Sequence, residues 1–249
     1  MGIIRGVDKN IIISVGPHKT DTTFLEVEIF PSYSNIVDIW KDRSDVFVDM
    51  LKINTSKKTS IVNEGLCGHY LFEYKGRRDI VKRLKVLFPN ALIVLSYREH
   101  LKYITSMYAG YVVAGGSLKI DEFFNFNSGS FLKSKYISFK DIYLDFKKHF
   151  DDIFVFNIDD ISNNKKKFIK NFSNFLEESA PDIETIKWTP VNKSSPPFLL
   201  NIQRMINTVI EPKYKNLKSK RDYLNLPLRK VFFARTSVYH HFINLLKTL

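Results

Sequence analysis

The sequence predicts an α/β protein folded as a three-layer sandwich, in which helices cover both faces of a central, mainly parallel sheet. The chain has 249 residues, of which 44% are hydrophobic, enough for one domain with a sizeable core. Short apolar runs rich in branched side chains, typical of buried parallel strands, alternate with longer stretches of helical period. Parallel strands that are joined through helices give this layered architecture.

The predicted elements alternate along most of the chain. Strands are predicted near 11–15, 59–64, 91–97 and 152–158. Helices are predicted near 22–30, 36–53, 78–88, 99–113, 138–149, 165–178, 198–210 and 228–248. There is no internal repeat and no linker, so we expect a single domain over residues 1–249. The segment from about residue 211 could form an added helical extension or an oligomer contact.

The first strand-like run leads into a loop of small and hydroxyl residues, after which a helix begins. The first N–H groups of a helix are unpaired and its dipole favours anions, so this arrangement suits a phosphate or a sulfate. The loop is close to a nucleotide-triphosphate loop, since Gly16 and Thr23 fit that pattern. Asp21 replaces its second glycine and Thr22 its lysine, and the lysine of this loop is Lys19.

The strand-like run 91–97 is followed at once by Arg98. The carboxyl end of a parallel strand lies at the ligand edge of an open α/β sheet, and the planar guanidinium suits a phosphate. Ser106 follows eight residues after Arg98, within a helical stretch, and can bring a hydroxyl to the same anion.

These two motifs, in this order, resemble the cofactor sites of sulfotransferases that use 3′-phosphoadenosine 5′-phosphosulfate (PAPS). The segment from Lys19 to Leu25 is similar to the family's 5′-phosphosulfate loop, with Asp21 in its glycine position. The spacing of Arg98 and Ser106 is similar to the family's 3′-phosphate site, although His100 stands where many members have proline. The resemblance implies a P-loop-like sulfotransferase fold, PAPS as donor and adenosine 3′,5′-bisphosphate (PAP) as product. It implies no metal.

The resemblance also implies which residues bind the cofactor. They are His18, Lys19, Thr20, Asp21, Thr22, Thr23, Arg98, Ser106, Asn192 and Lys193. Lys19 would in addition neutralise the charge that grows on the bridging oxygen during transfer. Asp21 should weaken cofactor binding relative to glycine, because a carboxylate opposes a nearby phosphate.

The strand-like run 59–64, the second along the chain, ends in Glu64. Sulfuryl transfer to an alcohol needs a base that accepts the hydroxyl proton, and Glu or His can serve. The resemblance places this base after the second strand, so Glu64 is the predicted base, with His69 as the rival and His18 as a weaker one. Glu64 could instead be an acid at a helix start. Near the end of the last predicted strand, Asp160 is expected to be an acid at a solvated helix start, with capping of the next element or support of the cofactor loop as the alternatives.

Composition limits the partners. The net charge is +12, from 38 basic and 26 acidic residues, which suits an anionic ligand such as a nucleotide cofactor. The basic residues follow no nucleic-acid motif, so no nucleic-acid partner is expected. No apolar run has the length of a membrane span, and the start has no apolar signal core. A single cysteine, Cys67, suits a reducing compartment, so a cytoplasmic location is expected.

Other functions stay open on the sequence alone. One is a P-loop kinase or nucleotide hydrolase, against which the displaced lysine argues. Another is a non-catalytic anion- or glycan-binding protein that has lost turnover, and Asp21 in the glycine position of the loop is the feature that favours it. For a sulfotransferase, the family resemblance and the positive charge favour a glycan as the acceptor that supplies the free hydroxyl, with a small alcohol or phenol as the alternative.

Overall fold

The computed structural model describes residues 10–20, 22–38, 57–67, 76–113, 115–126, 130–132, 137–161, 163–188 and 196–210. Five parallel strands form one sheet in the order β2-β3-β1-β4-β5. Their bounds are β1 Ile11–Ser14, β2 Ile36–Asp38, β3 Lys58–Val62, β4 Leu92–Tyr97 and β5 Ile153–Asn157. The α/β fold with a parallel central sheet, predicted from the alternation of elements, is confirmed.

The longer described α-helices lie where the sequence predicts helices, whereas the four-residue helices over 120–123 and 158–161 were not predicted. Their bounds are α1 Thr22–Phe24, α2 Arg77–Leu87, α3 His100–Val113, α4 Ile120–Phe123, α5 Phe139–Lys147, α6 Ile158–Ile161, α7 Lys165–Leu176 and α8 Pro197–Ile210. The predicted helix near 22–30 begins with α1 but continues as a π-helix, Leu25–Ile29, and a 3₁₀ helix, Phe30–Ser32. None of the described helices combines the length and the apolar character that crossing a bilayer requires.

The helix predicted over 36–53 is wrong at its start, where residues 36–38 form strand β2. Ile36 and Val37 pair with Lys58 and Thr59 of β3, and β2 is the edge strand of the sheet. Two adjacent β-branched side chains fit a pleated surface better than a helix, so strand pairing prevails here. Residues 39–53 of that prediction, and the helix predicted near 228–248, lie outside the described residues.

Helices cover both faces of the sheet, as β1 shows. Ile12 packs into one apolar core together with Leu25 and Phe172, whereas Ile13 packs into the other with Val81. Both faces of the strand are therefore buried, which explains why β1 reads as a continuous apolar run rather than an alternating one.

The chain groups into two compact units. The first comprises residues 1–107 and 124–194 and contains the whole sheet. The second comprises residues 108–123 and 195–249. Within the second unit, the buried Asn207 amide donates to the carbonyl oxygens of Val112 and Gly116, at 2.9 Å each. The expectation of a single domain over residues 1–249 stays a prediction.

Candidate functional site

The predicted anion-binding residues lie where β1 and β4 end. The chain leaves β1 toward β2 and β3 on one side, and leaves β4 toward β5 on the other. Connections that diverge in this way mark the topological switch point of an open α/β sheet, where ligands bind beyond the carboxyl ends of the strands. The loop after β1 and the residues after β4 are therefore neighbours.

The loop after β1 is held by buried polar contacts. Thr20 is fully buried, and its hydroxyl donates to the Pro17 carbonyl oxygen at 2.7 Å and lies 2.9 Å from Ser96 Oγ of β4. Its backbone N–H also donates to the Pro17 carbonyl, at 3.2 Å. A Cβ on Gly16 would lie only 2.2 Å from that same Ser96 Oγ. Thr20 thus fixes the loop with both of its donor groups.

Lys19 adopts a left-handed backbone conformation in this loop. Its φ is +70°, in the left-handed region that few lysines adopt, and it occupies the third position of the turn closed by Thr20 and Pro17. The side chain is exposed. The backbone carbonyl oxygen of Lys19 accepts a long hydrogen bond from Arg98 Nη1, at 3.4 Å. The structure therefore brings together Lys19 and Arg98, although 79 residues separate them.

Arg98 is oriented by a carboxylate that the sequence analysis did not select. Its Nε lies 3.4 Å from Asp159 Oδ1, and Lys102 Nζ lies 3.6 Å from the same oxygen. The Glu99 N–H donates to Asp159 Oδ2 at 3.0 Å. The Asp159 side chain is 13% exposed, so it forms a partly buried ion pair that restrains the guanidinium. Asp160, the acid singled out from the sequence, is exposed.

The pairing of β4 with β5, which no local sequence pattern predicts, brings Asp159 to Arg98. Tyr97, the last residue of β4, pairs with Asn157, the last residue of β5. Residues just beyond these two strand ends must therefore lie side by side. The Asn157 side chain also accepts a hydrogen bond from the Asp159 N–H at 3.1 Å, which fixes the start of α6.

The other predicted cofactor residues that the structure describes lie on the helices that follow. Thr22 is buried and Thr23 is half-buried at the start of α1. Ser106 is half-buried on α3, four residues after Lys102. Residues four apart share a helix face, so Ser106 lies on the face that Lys102 presents to Asp159.

Glu64 begins a short 3₁₀ helix, Glu64–Cys67, beyond the end of β3. Its Oε1 lies 3.3 Å from His18 Nε2. The His18 side chain is 14% exposed and that of Glu64 is 45% exposed. Two of the three residues proposed as base, one after β1 and one after β3, are therefore in direct contact.

Burial sets the charge of His18. Burial and, to a smaller extent, the neighbouring Lys19 ammonium together lower the pKa of the imidazole from 6.5 to about 4. A carboxylate at 3.3 Å favours the protonated form, but water around the half-exposed Glu64 screens that attraction. We therefore treat His18 as neutral near pH 7. Burial also raises the pKa of Cys67, to about 12, so this cysteine is an unreactive thiol.

The remaining predicted site residues, Asp21, His69, Asn192 and Lys193, lie outside the described residues. Among the residues that are described, no group of three His, Cys, Asp or Glu side chains is arranged as metal ligands.

No protein-family model matches the sequence, and no curated protein does. Among solved structures, a sulfotransferase from Alicyclobacillus acidocaldarius superposes with a TM-score of 0.54 at 14% identity, covering 85% of this chain and 98% of that chain. A mouse sulfotransferase, SULT7A1, complexed with PAP, gives a TM-score of 0.45 at 15% identity, over 89% of each chain. The bacterial structure is similar to this chain in fold. The chain therefore has the sulfotransferase fold that its sequence motifs predict.

Proposed function

We propose that this chain is a PAPS-dependent sulfotransferase that transfers the sulfuryl group to a hydroxyl of its acceptor. One observation carries the proposal: Lys19 and Arg98, predicted to bind the two ends of PAPS, meet at the switch point of the sheet through the contact of Arg98 with the Lys19 carbonyl. A cation in the loop after β1 and a second one after β4 suit a ligand with two separate anionic groups.

The described residues fit that ligand in their chemistry. Lys19, Thr22 and Thr23 offer an ammonium and two hydroxyls near the start of α1, and these would bind the 5′-phosphosulfate. Arg98 and Ser106 offer a guanidinium and a hydroxyl, and these would bind the 3′-phosphate. The hydroxyl and the N–H of Thr20 donate to the Pro17 carbonyl oxygen, so Thr20 would stabilise the loop that binds the ligand.

The mechanism that follows is an in-line transfer. The bound donor supplies a sulfuryl group whose bond to the 5′-phosphate oxygen breaks as the acceptor oxygen bonds to sulfur. Glu64 takes the proton of the acceptor hydroxyl, a role for which its half-exposed carboxylate is accessible. Lys19 stabilises the negative charge on the departing phosphate oxygen. Arg98, restrained by Asp159, holds the 3′ end of the nucleotide in place.

The acceptor that we propose is a glycan, and the proposal rests on the family resemblance and the net charge of +12, which suits an acidic polysaccharide. A cytoplasmic location also belongs to the proposal, because the single cysteine suits a reducing compartment.

The function is tested by following radiolabelled sulfuryl transfer from PAPS to a panel of glycans and small phenols. We expect Glu64→Gln to lower the transfer rate by about 100-fold or more, because it keeps the shape of the side chain and removes its basicity. PAP affinity should stay nearly unchanged. Glu184→Gln changes an exposed glutamate of the 3₁₀ helix Ile183–Thr185, is the matched control and should behave like the wild type.

Several outcomes would contradict this account. Normal turnover by Glu64→Gln together with an inactive His69→Ala variant would transfer the role of base to His69. A wild-type protein that transfers nothing from PAPS but hydrolyses ATP in the presence of magnesium would overturn the proposed function.

A further inference from the structure

The contact between His18 and Glu64 joins two segments that sequence analysis treats separately. His18 belongs to the loop after β1, and Glu64 follows β3, the neighbour of β1 in the sheet. The backbones also meet here, since the Asn63 N–H donates to the Ser14 carbonyl oxygen at 3.2 Å. The pair is therefore held by the sheet itself, in the compact unit that contains Lys19.

The two members of the pair differ in their access to solvent. The His18 side chain is 14% exposed, its Nδ1 is buried, and its Nε2 lies 3.3 Å from Glu64. The Glu64 side chain is 45% exposed. An acceptor hydroxyl arriving from solvent can therefore reach the carboxylate of Glu64 more readily than either nitrogen of His18.

The charge state of His18 is consistent with this arrangement. The buried imidazole has a pKa of about 4, so it is neutral near pH 7. A neutral imidazole carries one N–H group, and a carboxylate oxygen beside Nε2 selects the tautomer with the proton on that nitrogen. His18 is thus a hydrogen-bond donor to Glu64 rather than its competitor for the acceptor proton.

We propose that His18 is a positioning residue for Glu64, donating from Nε2 to Oε1 so that the carboxylate is held beside the loop that carries Lys19. Its role in turnover rests on the proposed function, whereas the hydrogen bond does not. In the transfer step the acceptor proton passes to Glu64, and His18 keeps its own proton throughout. The base is thereby held beside the loop that carries the cation at the leaving group.

The first test is spectroscopic and needs no substrate. Heteronuclear NMR of the imidazole should find His18 neutral near pH 7, with its proton on Nε2. Glu64→Ala should shift the Nε2 proton resonance or expose it to exchange with water, and the control Glu184→Ala should leave it unchanged. A His18 imidazole with its proton on Nδ1, or one insensitive to Glu64→Ala, would overturn the proposal.

The second test separates positioning from folding. His18→Phe keeps an aromatic ring but has no donor, and His18→Gln places an amide N–H near the position of Nε2. We expect His18→Phe to lower kcat by about tenfold, the value of one hydrogen bond to a charged group, with acceptor KM and PAP affinity within about twofold. His18→Gln should recover most of the rate. The matched control is His149→Phe. His149 precedes β5 and so lies at the amino ends of the parallel strands, whereas His18 lies beyond their carboxyl ends.

The outcomes distinguish this inference from the proposed function. Equal rate losses in His18→Phe and His18→Gln, or a loss that follows thermal stability alone, would assign His18 a purely structural role. Unchanged kcat in His18→Phe would also overturn the proposal. If the wild type binds no PAP and transfers no sulfuryl group, the proposed function fails and the positioning role fails with it, whatever the tautomer of His18.

Discussion

Gly16 is required by its neighbours rather than by its own backbone angles. A Cβ at this position would lie 2.2 Å from Ser96 Oγ and 2.4 Å from Thr20 Oγ1, too close for any side chain. These two hydroxyls form the hydrogen bond that ties the loop after β1 to β4. The glycine therefore allows the two strand ends to approach each other, and this approach brings Lys19 and Arg98 together.

The buried imidazole of His18 should make stability depend on pH. Its pKa is about 4 in the folded protein against 6.5 in an exposed histidine. Between these values the unfolded chain binds a proton that the folded chain does not, so the free energy of unfolding rises with pH and falls as pH drops through this window. The complete effect is on the order of 3 kcal/mol. Burial is the larger cause of this lowered pKa and the Lys19 ammonium the smaller one.

Urea unfolding of the wild type and His18→Gln measures this effect. Between about pH 7 and about pH 5, the variant should lose less stability than the wild type, because its side chain does not titrate. Identical pH slopes for the wild type and His18→Gln would show that His18 binds its proton equally well in the folded and unfolded chains.

Among the secondary-structure elements, the pairing of β4 with β5 determines the environment of Arg98. Asp159, just beyond β5, contacts Arg98, Lys102 and the backbone of Glu99. We expect Asp159→Asn to weaken PAP binding by about tenfold, because the guanidinium loses the charge that orients it. Binding of adenosine 5′-monophosphate, which has no 3′-phosphate, should change little. Isothermal titration calorimetry measures both affinities.

Asp160→Asn is the matched control, because it makes the same change on the neighbouring, exposed residue of α6. It should bind both nucleotides like the wild type. If Asp159→Asn binds PAP more tightly, the carboxylate competes with the 3′-phosphate for Arg98 instead of orienting it, and the positioning role assigned to Asp159 is wrong.

The sequence predicts those elements that carry a strong local pattern. The strands β1, β4 and β5 are mostly apolar runs, and β3 ends in the β-branched pair Ile61 and Val62, so composition and branching identify all four. Strand β2 has three residues and lies at an edge, and its apolar pair was assigned to a helix because only pairing with β3 distinguishes the two. Lys19 and Arg98 could be assigned to one ligand because Lys19 lies in the loop after one predicted strand and Arg98 directly follows another.

Contacts between sheet neighbours could not be predicted in the same way. That His18 meets Glu64 depends on β1 lying beside β3, and that Asp159 meets Arg98 depends on β4 lying beside β5. Local periodicity carries no information about strand order. The choice of Asp160 over Asp159 shows this limit, since the two acids are adjacent in sequence but only Asp159 contacts the strand end of β4.

Across the whole sheet, the strand order arranges these charged groups in a row. Glu64 follows β3, His18 and Lys19 follow β1, Arg98 follows β4, and Asp159 lies beyond β5. The two cations stand at the centre, and a carboxylate lies on each side of them. In the proposed function, this row gives PAPS one orientation, with the sulfuryl group toward β3 and β1 and the 3′-phosphate toward β4 and β5.

A calorimetric measurement of PAP binding to the wild type and to Arg98→Ala tests this arrangement most directly. The wild type should bind PAP more tightly than ATP with magnesium. Arg98→Ala should weaken PAP binding by about tenfold or more, while binding of adenosine 5′-monophosphate stays nearly unchanged. The reason is that adenosine 5′-monophosphate lacks the 3′-phosphate that the Arg98 guanidinium would bind. Arg83→Ala, an exposed arginine of α2, is the control. Equal losses for both nucleotides in Arg98→Ala, or a wild-type preference for ATP with magnesium, would contradict the account.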